Sequence, residues 1–310
     1  MATPTTDRRA IGSRPVGASL DFDAQGFVSA ADGTRLFWGT MGEGPAIVLN
    51  DGIGCDGFAW RYLGPELAKK HRVIRWHYRG HGRSGPPVDP ARLDMVALAR
   101  DLAVVLDHLE VESALLAGHS MGTQVCLETY RHFPARVVGM VLLCGSYGRV
   151  THSFHGSDLL SQVLPRVIET ARSRRGLARA LWSRVPSRLA YRIAKLSGEV
   201  DAATIREEDF VTYWDHISVM DPDVFLSMLR LAGDHSAEDL LPAIEVPTLV
   251  IAADRDTFTP PALAKAMADT IPNAKFMRIR GGSHAAPVEQ PGTIGLRIEK
   301  FLLDRIPQGW

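Results

Sequence analysis

Three side chains in this sequence have the types and the order needed for acyl-transfer chemistry: Ser120, Asp256 and His284. Ser120 is the centre of Gly118-His119-Ser120-Met121-Gly122, a G-x-S-x-G pentapeptide set between an apolar run and a helical pattern. The turn at such a serine is too tight for side chains at its flanks, and it pushes the hydroxyl beyond the edge of a sheet. A hydroxyl is a weak nucleophile until a base takes its proton, and the base needs a carboxylate to orient it. Both types follow downstream. The apolar run Pro247 to Ala252 leads into Asp254-Arg255-Asp256-Thr257-Phe258-Thr259-Pro260, and the run Lys275 to Ile279 leads into Gly281-Gly282-Ser283-His284. Sequence order alone admits either Asp254 or Asp256 as the acid.

The elements that must position these residues are legible from periodicity. Phe27 to Ala30 and Leu36 to Thr40 flank the turn at Asp32-Gly33 and read as a hairpin, followed by a buried strand at Ala46 to Leu49. A helical pattern at Trp60 to Lys69 precedes the strand Arg72 to Tyr78 and the loop Arg79 to Pro87. Asp89 with Pro90 reads as a helix start for the apolar stripe Leu93, Val96, Leu98, Leu102, Val105, Leu106 and Leu109. Strand Ala114 to Ala117, helix Gly122 to His132 and strand Val137 to Leu143 continue an alternation that implies a mostly parallel sheet covered by helices on both faces, an α/β fold. Between about 148 and 245 helical patterns replace the alternation, which resumes with helices at Pro261 to Thr270 and Thr293 to Arg305. The expected division is therefore a loose tail over residues 1–25, a core of 26–149 and 246–310, and a helical insertion over 150–245. That insertion is read as a cap over the carboxyl ends of the strands, where ligands bind in such sheets.

Composition bounds the partners. Lys+Arg 35 against Asp+Glu 35 leaves no net field toward nucleic acid or membrane. Three cysteines at unrelated spacings make no disulfide framework and fit a reducing compartment. The first fifteen residues have no apolar core of a secretory signal, and no stretch approaches the ~20 apolar residues of a spanning helix. A cytoplasmic protein with a small-molecule substrate, no nucleic-acid partner and no membrane span is the expectation.

Taken together, Arg79-Gly80-His81-Gly82-Arg83-Ser84, the Gly118 to Gly122 elbow, Asp256 with Pro260, and Gly282 to His284 followed by Glu289 and Pro291 resemble the α/β-hydrolase superfamily. The likeness is to its capped Ser-Asp-His branch of esterases, lactonases, carbon–carbon bond hydrolases and cofactor-free haloperoxidases, and it covers about residues 27–301. It implies Ser120 as nucleophile, His284 as base and Asp256 as acid. It places the acid four residues before a proline that opens the next helix, here Pro260 with Thr259 as its cap. It also implies an oxyanion hole formed by the backbone N–H groups of Ile53 and Met121, and no cofactor or metal. Two positions depart from the pattern. Asp51 stands where the family has a histidine, and is expected to turn away into hydrogen bonds. His77 stands where an acidic residue is common.

The implied activity is cleavage of a carboxylic ester or related acyl substrate through an acyl-enzyme. A lactonase, carbon–carbon bond hydrolase or perhydrolase would use the same triad, and a low-turnover ligand receptor would keep the fold. Other clusters read as structural: His77 with His81, and His152, His155 and Asp158, lack a recognised metal-ligand pattern. Arg79 and Arg83 are expected to hold their own loop. Arg166, Arg172, Arg174, Arg175, Arg179 and Arg184 are expected to be solvated or paired with Glu199, Asp201, Glu207, Glu208 and Asp209. Trp182, Tyr191, Tyr213, Trp214, Phe225 and Met228 are expected mainly in the core of the insertion, with one or two facing substrate.

Overall fold

A computed structural model of the 310-residue chain describes residues 22–153, 158–197, 200, 205–307 and 309–310. Eight strands form one sheet: β1 (Ala24–Ser29), β2 (Arg35–Met41), β3 (Ala46–Asn50), β4 (Arg72–Trp76), β5 (Ala114–His119), β6 (Val137–Leu143), β7 (Thr248–Ala253) and β8 (Ala274–Ile279), in the order β1-β2-β4-β3-β5-β6-β7-β8. From β4 to β8 every pairing is parallel, and only β2 runs against its neighbours. The first helices are α1 (Leu63–Leu67), α2 (Met95–His108) and α3 (Met121–His132). Between β6 and β7 lie α4 (Val150–Ser153), α5 (Leu159–Ser173), α6 (Arg175–Trp182), α7 (Ser187–Ser197), α8 (Glu207–Val219) and α9 (Pro222–Asp234). The chain ends with α10 (Pro261–Thr270), α11 (Ala286–Glu289) and α12 (Pro291–Arg305).

The central strands are apolar on both sides because helices cover both sides. In β3, Val48 joins a core with α2, α3 and α10, while Ile47 and Leu49 face the opposite core with α1 and α12. The insertion has a smaller core of its own, in which Tyr191 and Phe210 meet Ala285 of the loop after β8.

Three expected boundaries move, each for a local reason. The tail cannot run to residue 25, since Ala24 and Gln25 already pair with Thr40 and Gly39 as the start of β1; residues 1–21 lie outside the described residues. The helix expected from Asp89 starts at Met95 instead. Asp94 caps it by accepting from the Ala97 N–H at 2.8 Å, whereas the Asp89 carboxylate is spent on the Ala91 N–H in a separate turn. At α10 the first helical residue is Pro261, not Pro260, and Thr259 is not its cap.

The loop after β4 is tied to the body of the fold by Arg79. Its guanidinium is buried and donates bidentately to Asp101 on α2, at 2.8 and 2.7 Å, and to Asp32 at 2.7 Å. Removing one partner of a buried ion pair strands the other charges in low dielectric. Arg79→Leu should therefore cost about 3–5 kcal/mol of unfolding free energy, read by urea denaturation. A loss below about 1 kcal/mol would show that the two carboxylates find other partners.

Candidate active site

Ser120 closes β5 and begins α3 with φ 55° and ψ −121°, a conformation in which an L side chain is strained. The flanking glycines are required by contact as well as by the turn. A Cβ at Gly118 would lie 2.3 Å from the Gly122 carbonyl oxygen, and one at Gly122 would lie 2.3 Å from that of Asn50. The elbow thus presses directly against the end of β3.

His284 follows β8 and Asp256 follows β7, so both reach the rim that carries Ser120, the carboxyl edge of the parallel strands. His284 Nε2 lies 2.9 Å from Ser120 Oγ, and Nδ1 lies 2.9 Å and 3.1 Å from the two Asp256 oxygens. An ionised carboxylate only accepts, so Nδ1 carries the proton and Nε2 is left to accept from the serine hydroxyl. Asp256 is buried, which raises its pKa. The adjacent His284, with the Thr259 N–H and hydroxyl, more than offsets that burial and holds it below the usual carboxylate range. Here Thr259 does its work: its hydroxyl donates to Asp256 Oδ2 at 2.7 Å, and its N–H and that of Phe258 donate to Oδ1. Asp254 points elsewhere, accepting from the Gly281 N–H at 2.7 Å and so holding the histidine's loop. Further ties to that loop come from His119, whose Nε2–H donates to the His284 carbonyl at 3.0 Å, and from Glu289, which accepts from the Ser283 N–H at 2.8 Å.

Gly52 packs under the elbow, where an added Cβ would sit 3.1 Å from Ser120 Cβ, and Ile53 lines the same cavity as Ser120. Among the described residues the Ile53 and Met121 amides donate no backbone hydrogen bond in a turn, loop or cap. The loop that carries Ile53 is held by Trp76 and Tyr78, which belong to no motif in the sequence, and by His81 of the Arg79 to Ser84 motif. Trp76 donates to Asn50 Oδ1 at 3.0 Å, Tyr78 donates to the Asp51 carbonyl at 2.7 Å, and the Gly54 N–H donates to His81 Nε2 at 3.1 Å. His77 Nδ1 likewise accepts from the Arg83 N–H at 2.8 Å, so the two histidines brace loops. Of the other suspected cluster, His155 and the His152 side chain lie outside the described residues, and Asp158 accepts from Gln162.

Asp51 is buried. Its charged neighbours are Arg75 and Asp56, its carboxylate takes the Gly57 N–H, and Oδ1 has no partner among the described residues. Gly57, at φ +105°, is demanded here, because a Cβ would fall 1.3 Å from the Arg75 guanidinium. Burial pushes the Asp51 carboxyl up to about 7, against the pull of Arg75 and with the repulsion of Asp56.

The site opens into a cavity of about 370 Å³. Its floor is Gly52, Ile53, Ser120 and His284, and its roof comes from the insertion. Four aromatics expected mainly as core, Trp182, Tyr213, Trp214 and Phe225, line it instead, while Tyr191 and Met228 are buried in packing. The hydrophobic stripe of a helix does not say whether a core or a cavity lies against it. Both indole N–H groups are already committed, Trp182 to the Ile217 carbonyl and Trp214 to that of Val185, so no free N–H donor comes from the tryptophans.

A family model for the alpha/beta hydrolase fold matches residues 45–291. The chain belongs to that family and is a hydrolase. A RutD protein of Azorhizobium caulinodans, provisionally named a carbamate hydrolase, is 29% identical over 259 residues, covering 83% of this chain and 90% of that protein. A 3-oxoadipate enol-lactonase of Acinetobacter baylyi is 24% identical over 280 residues, 88% of this chain and 94% of the relative. Among solved structures, a thermophilic esterase from Thermogutta terrifontis superposes with a TM-score of 0.74 at 27% identity, covering 90% of this chain and 98% of that one. No helix among the described residues is long and apolar enough to cross a membrane.

A carboxyl whose folded pKa exceeds its unfolded value binds a proton on folding, so its contribution to stability falls as pH rises from about 4 to about 7. Asp51→Asn removes that penalty. Its melting temperature relative to the parent should therefore rise between pH 4.5 and pH 8, by at least about 2 °C. A difference that stays flat across that range would show that Asp51 is already ionised.

Proposed function

We propose that this hydrolase cleaves neutral, apolar carboxylic esters through an acyl-enzyme on Ser120. The observation that carries the reading is the unbroken relay in which His284 bridges Ser120 Oγ and Asp256 at 2.9 Å on each side. Ser120 Oγ bonds to the ester carbonyl carbon while His284 Nε2 takes its proton, and Asp256 stabilises the imidazolium in place. The carbonyl oxygen becomes an oxyanion facing the Ile53 and Met121 amides, the second at the positive end of α3. One such donor contributes about 3 kcal/mol to lowering the barrier. The C–O bond then breaks, and the leaving alcohol takes the proton from His284. Water repeats the sequence on the acyl-enzyme and releases the acid.

The insertion, residues 150–245 over a core of 24–149 and 246–310, is proposed as the cap that selects substrate. Support for an uncharged acyl group comes from the cavity lining, which holds no Lys, Arg, Asp or Glu among the described residues. An anionic chain there would be desolvated without a partner. A lactone fits the same machinery, and the enol-lactonase relative favours it as the second reading. The cytoplasm is proposed as the compartment, supported by three cysteines that are free and buried.

With p-nitrophenyl esters of matched length, the neutral ester should exceed the carboxylate-ended one in kcat/KM by about a hundredfold or more. Ser120→Ala should lose turnover by several orders of magnitude and lose fluorophosphonate labelling with it. Labelling that persists in the variant would move the nucleophile elsewhere.

The two aspartates separate in a second experiment. Asp256→Asn should lower kcat by up to about ten-thousandfold, since an amide can hold the imidazole in the wrong tautomer. Asp254→Asn, which loosens the Gly281 tie and the 3.8 Å approach of Arg278, should leave kcat within about tenfold and lower the melting temperature. The reverse ranking, with both variants folded, would transfer the acid's role to Asp254.

A further inference from the structure

The outward face of the insertion is unlike the rest of the surface. Nine of the fourteen large apolar side chains exposed among the described residues fall within 158–197. They are ordered by helix geometry. On α5, Leu159, Val163 and Val167 recur every four residues, a stripe flanking Leu164 and Ile168, which are buried. On α6, Leu177 and Leu181 are 54% and 59% exposed, and on α7 Leu189, Ile193 and Leu196 are 49%, 55% and 89% exposed. An amphipathic helix normally turns such a stripe inward. Here α6 has no buried residue, and among its described side chains α7 buries only the small or aromatic side Ala190, Tyr191 and Ala194.

The same segment carries nine basic residues against two acidic ones, in a chain whose total charge is zero. As expected, its arginines are solvent-exposed or paired within the insertion, though mostly with acids other than those of 199–209. Arg172 and Arg175 reach Asp223, and Arg179 reaches Asp221, while Glu199 and Asp201 lie outside the described residues. Arg188 approaches Glu207 at 3.7 Å. Arg166, Arg174, Arg184 and Arg192 have no ion pair among the described residues. On α7 each cation, Arg188, Arg192 and Lys195, directly precedes an exposed apolar residue, so charge borders the stripe along its length.

We propose that this face docks on an anionic lipid bilayer, with Leu177, Leu181, Leu189, Ile193 and Leu196 entering the headgroup boundary and the unpaired arginines meeting lipid phosphates. Helices with leucines on one side, cations beside them and low overall hydrophobicity lie in such an interface without spanning it. Charge decides among occupants. A second copy would set two like-charged basic faces against each other. Residues 1–21 carry Arg8, Arg9 and Arg14 against Asp7 and Asp21, the same sign as the face, with no long apolar run. An anionic surface answers both the apolar stripe and the charge. The placement also suits the cavity, because α6 carries Trp182 into its lining and Val200, just beyond α7, lines it as well. Docking would set the cavity against the phase in which neutral apolar esters dissolve.

Vesicle flotation of the full chain tests this, with phosphatidylcholine alone or mixed with phosphatidylglycerol, at about 0.1 M and about 1 M salt. Binding to the anionic vesicles should be about tenfold or more above the neutral ones and should fall at high salt. Leu189→Ser with Ile193→Ser, and separately Arg184→Glu with Arg192→Glu, should each weaken it about tenfold or more while turnover of a dissolved ester is unchanged. None of these four residues lines the cavity, and all are exposed, so the unchanged turnover also reports that the variants fold. Equal binding to both vesicle types, or none, overturns the proposal. So does a dimer by light scattering that Leu189→Ser with Ile193→Ser dissociates, which would assign the face to a second copy.

Discussion

The hydrogen bond between Ser120 Oγ and His284 Nε2 joins side chains 164 residues apart at 2.9 Å, and the rest of the architecture follows from what that distance demands. Loops at the ends of three strands, β5, β7 and β8, have to arrive at one point with errors of a few tenths of an ångström. A parallel sheet does this economically, because every carboxyl end lies on one edge and the register between neighbours is locked by the ladder. Strain at Ser120 is tolerated since both flanking glycines are in contact with backbone: Gly118 with the first turn of α3, and Gly122 with the end of β3.

The loop after β3 shows how a departure from a family pattern is absorbed. With Asp51 in place of histidine and His77 in place of an acid, the two positions have exchanged chemical character. Each finds a local solution. His77 accepts the Arg83 amide, and Asp51 takes the Gly57 amide beside the buried Arg75, which in turn needs Gly57 to have no side chain. The backbone stays anchored through Asn50, Trp76, Tyr78 and His81, so Ile53 remains at the rim whatever the Asp51 carboxyl does.

Above that rim, the insertion lines the cavity mainly from α8 and α9 and forms the apolar outer face from α5 and α7, with α6 contributing to both. Its aromatic residues turn inward to roof the cavity, and its leucines turn outward. Both faces are apolar, so the helical pattern alone cannot assign inside and outside. That ambiguity explains why Trp182, Tyr213, Trp214 and Phe225 read as core in the sequence and form cavity wall in the structure.

By itself the sequence determined the α/β alternation, the position of each central strand, the elbow serine and the histidine. These are local signals: apolar runs of strand length, a glycine pair too close for side chains, and loops at strand ends. Residue order admitted either Asp254 or Asp256 as the acid, and only the family resemblance pointed to Asp256. Which carboxylate meets Nδ1 and which meets the Gly281 amide depends on the packing of β7 against β8. Thr259 shows the same limit. Its position before a proline suggested a helix cap, yet its hydroxyl bonds the Asp256 carboxylate, which a local propensity has no means to report. The pinning of the Ile53 loop by Trp76 and Tyr78, and the choice between cavity wall and core in the insertion, depend on contacts between residues far apart in the chain. Such contacts leave no period and no spacing in the sequence, and they exist only once the sheet has brought its edges together.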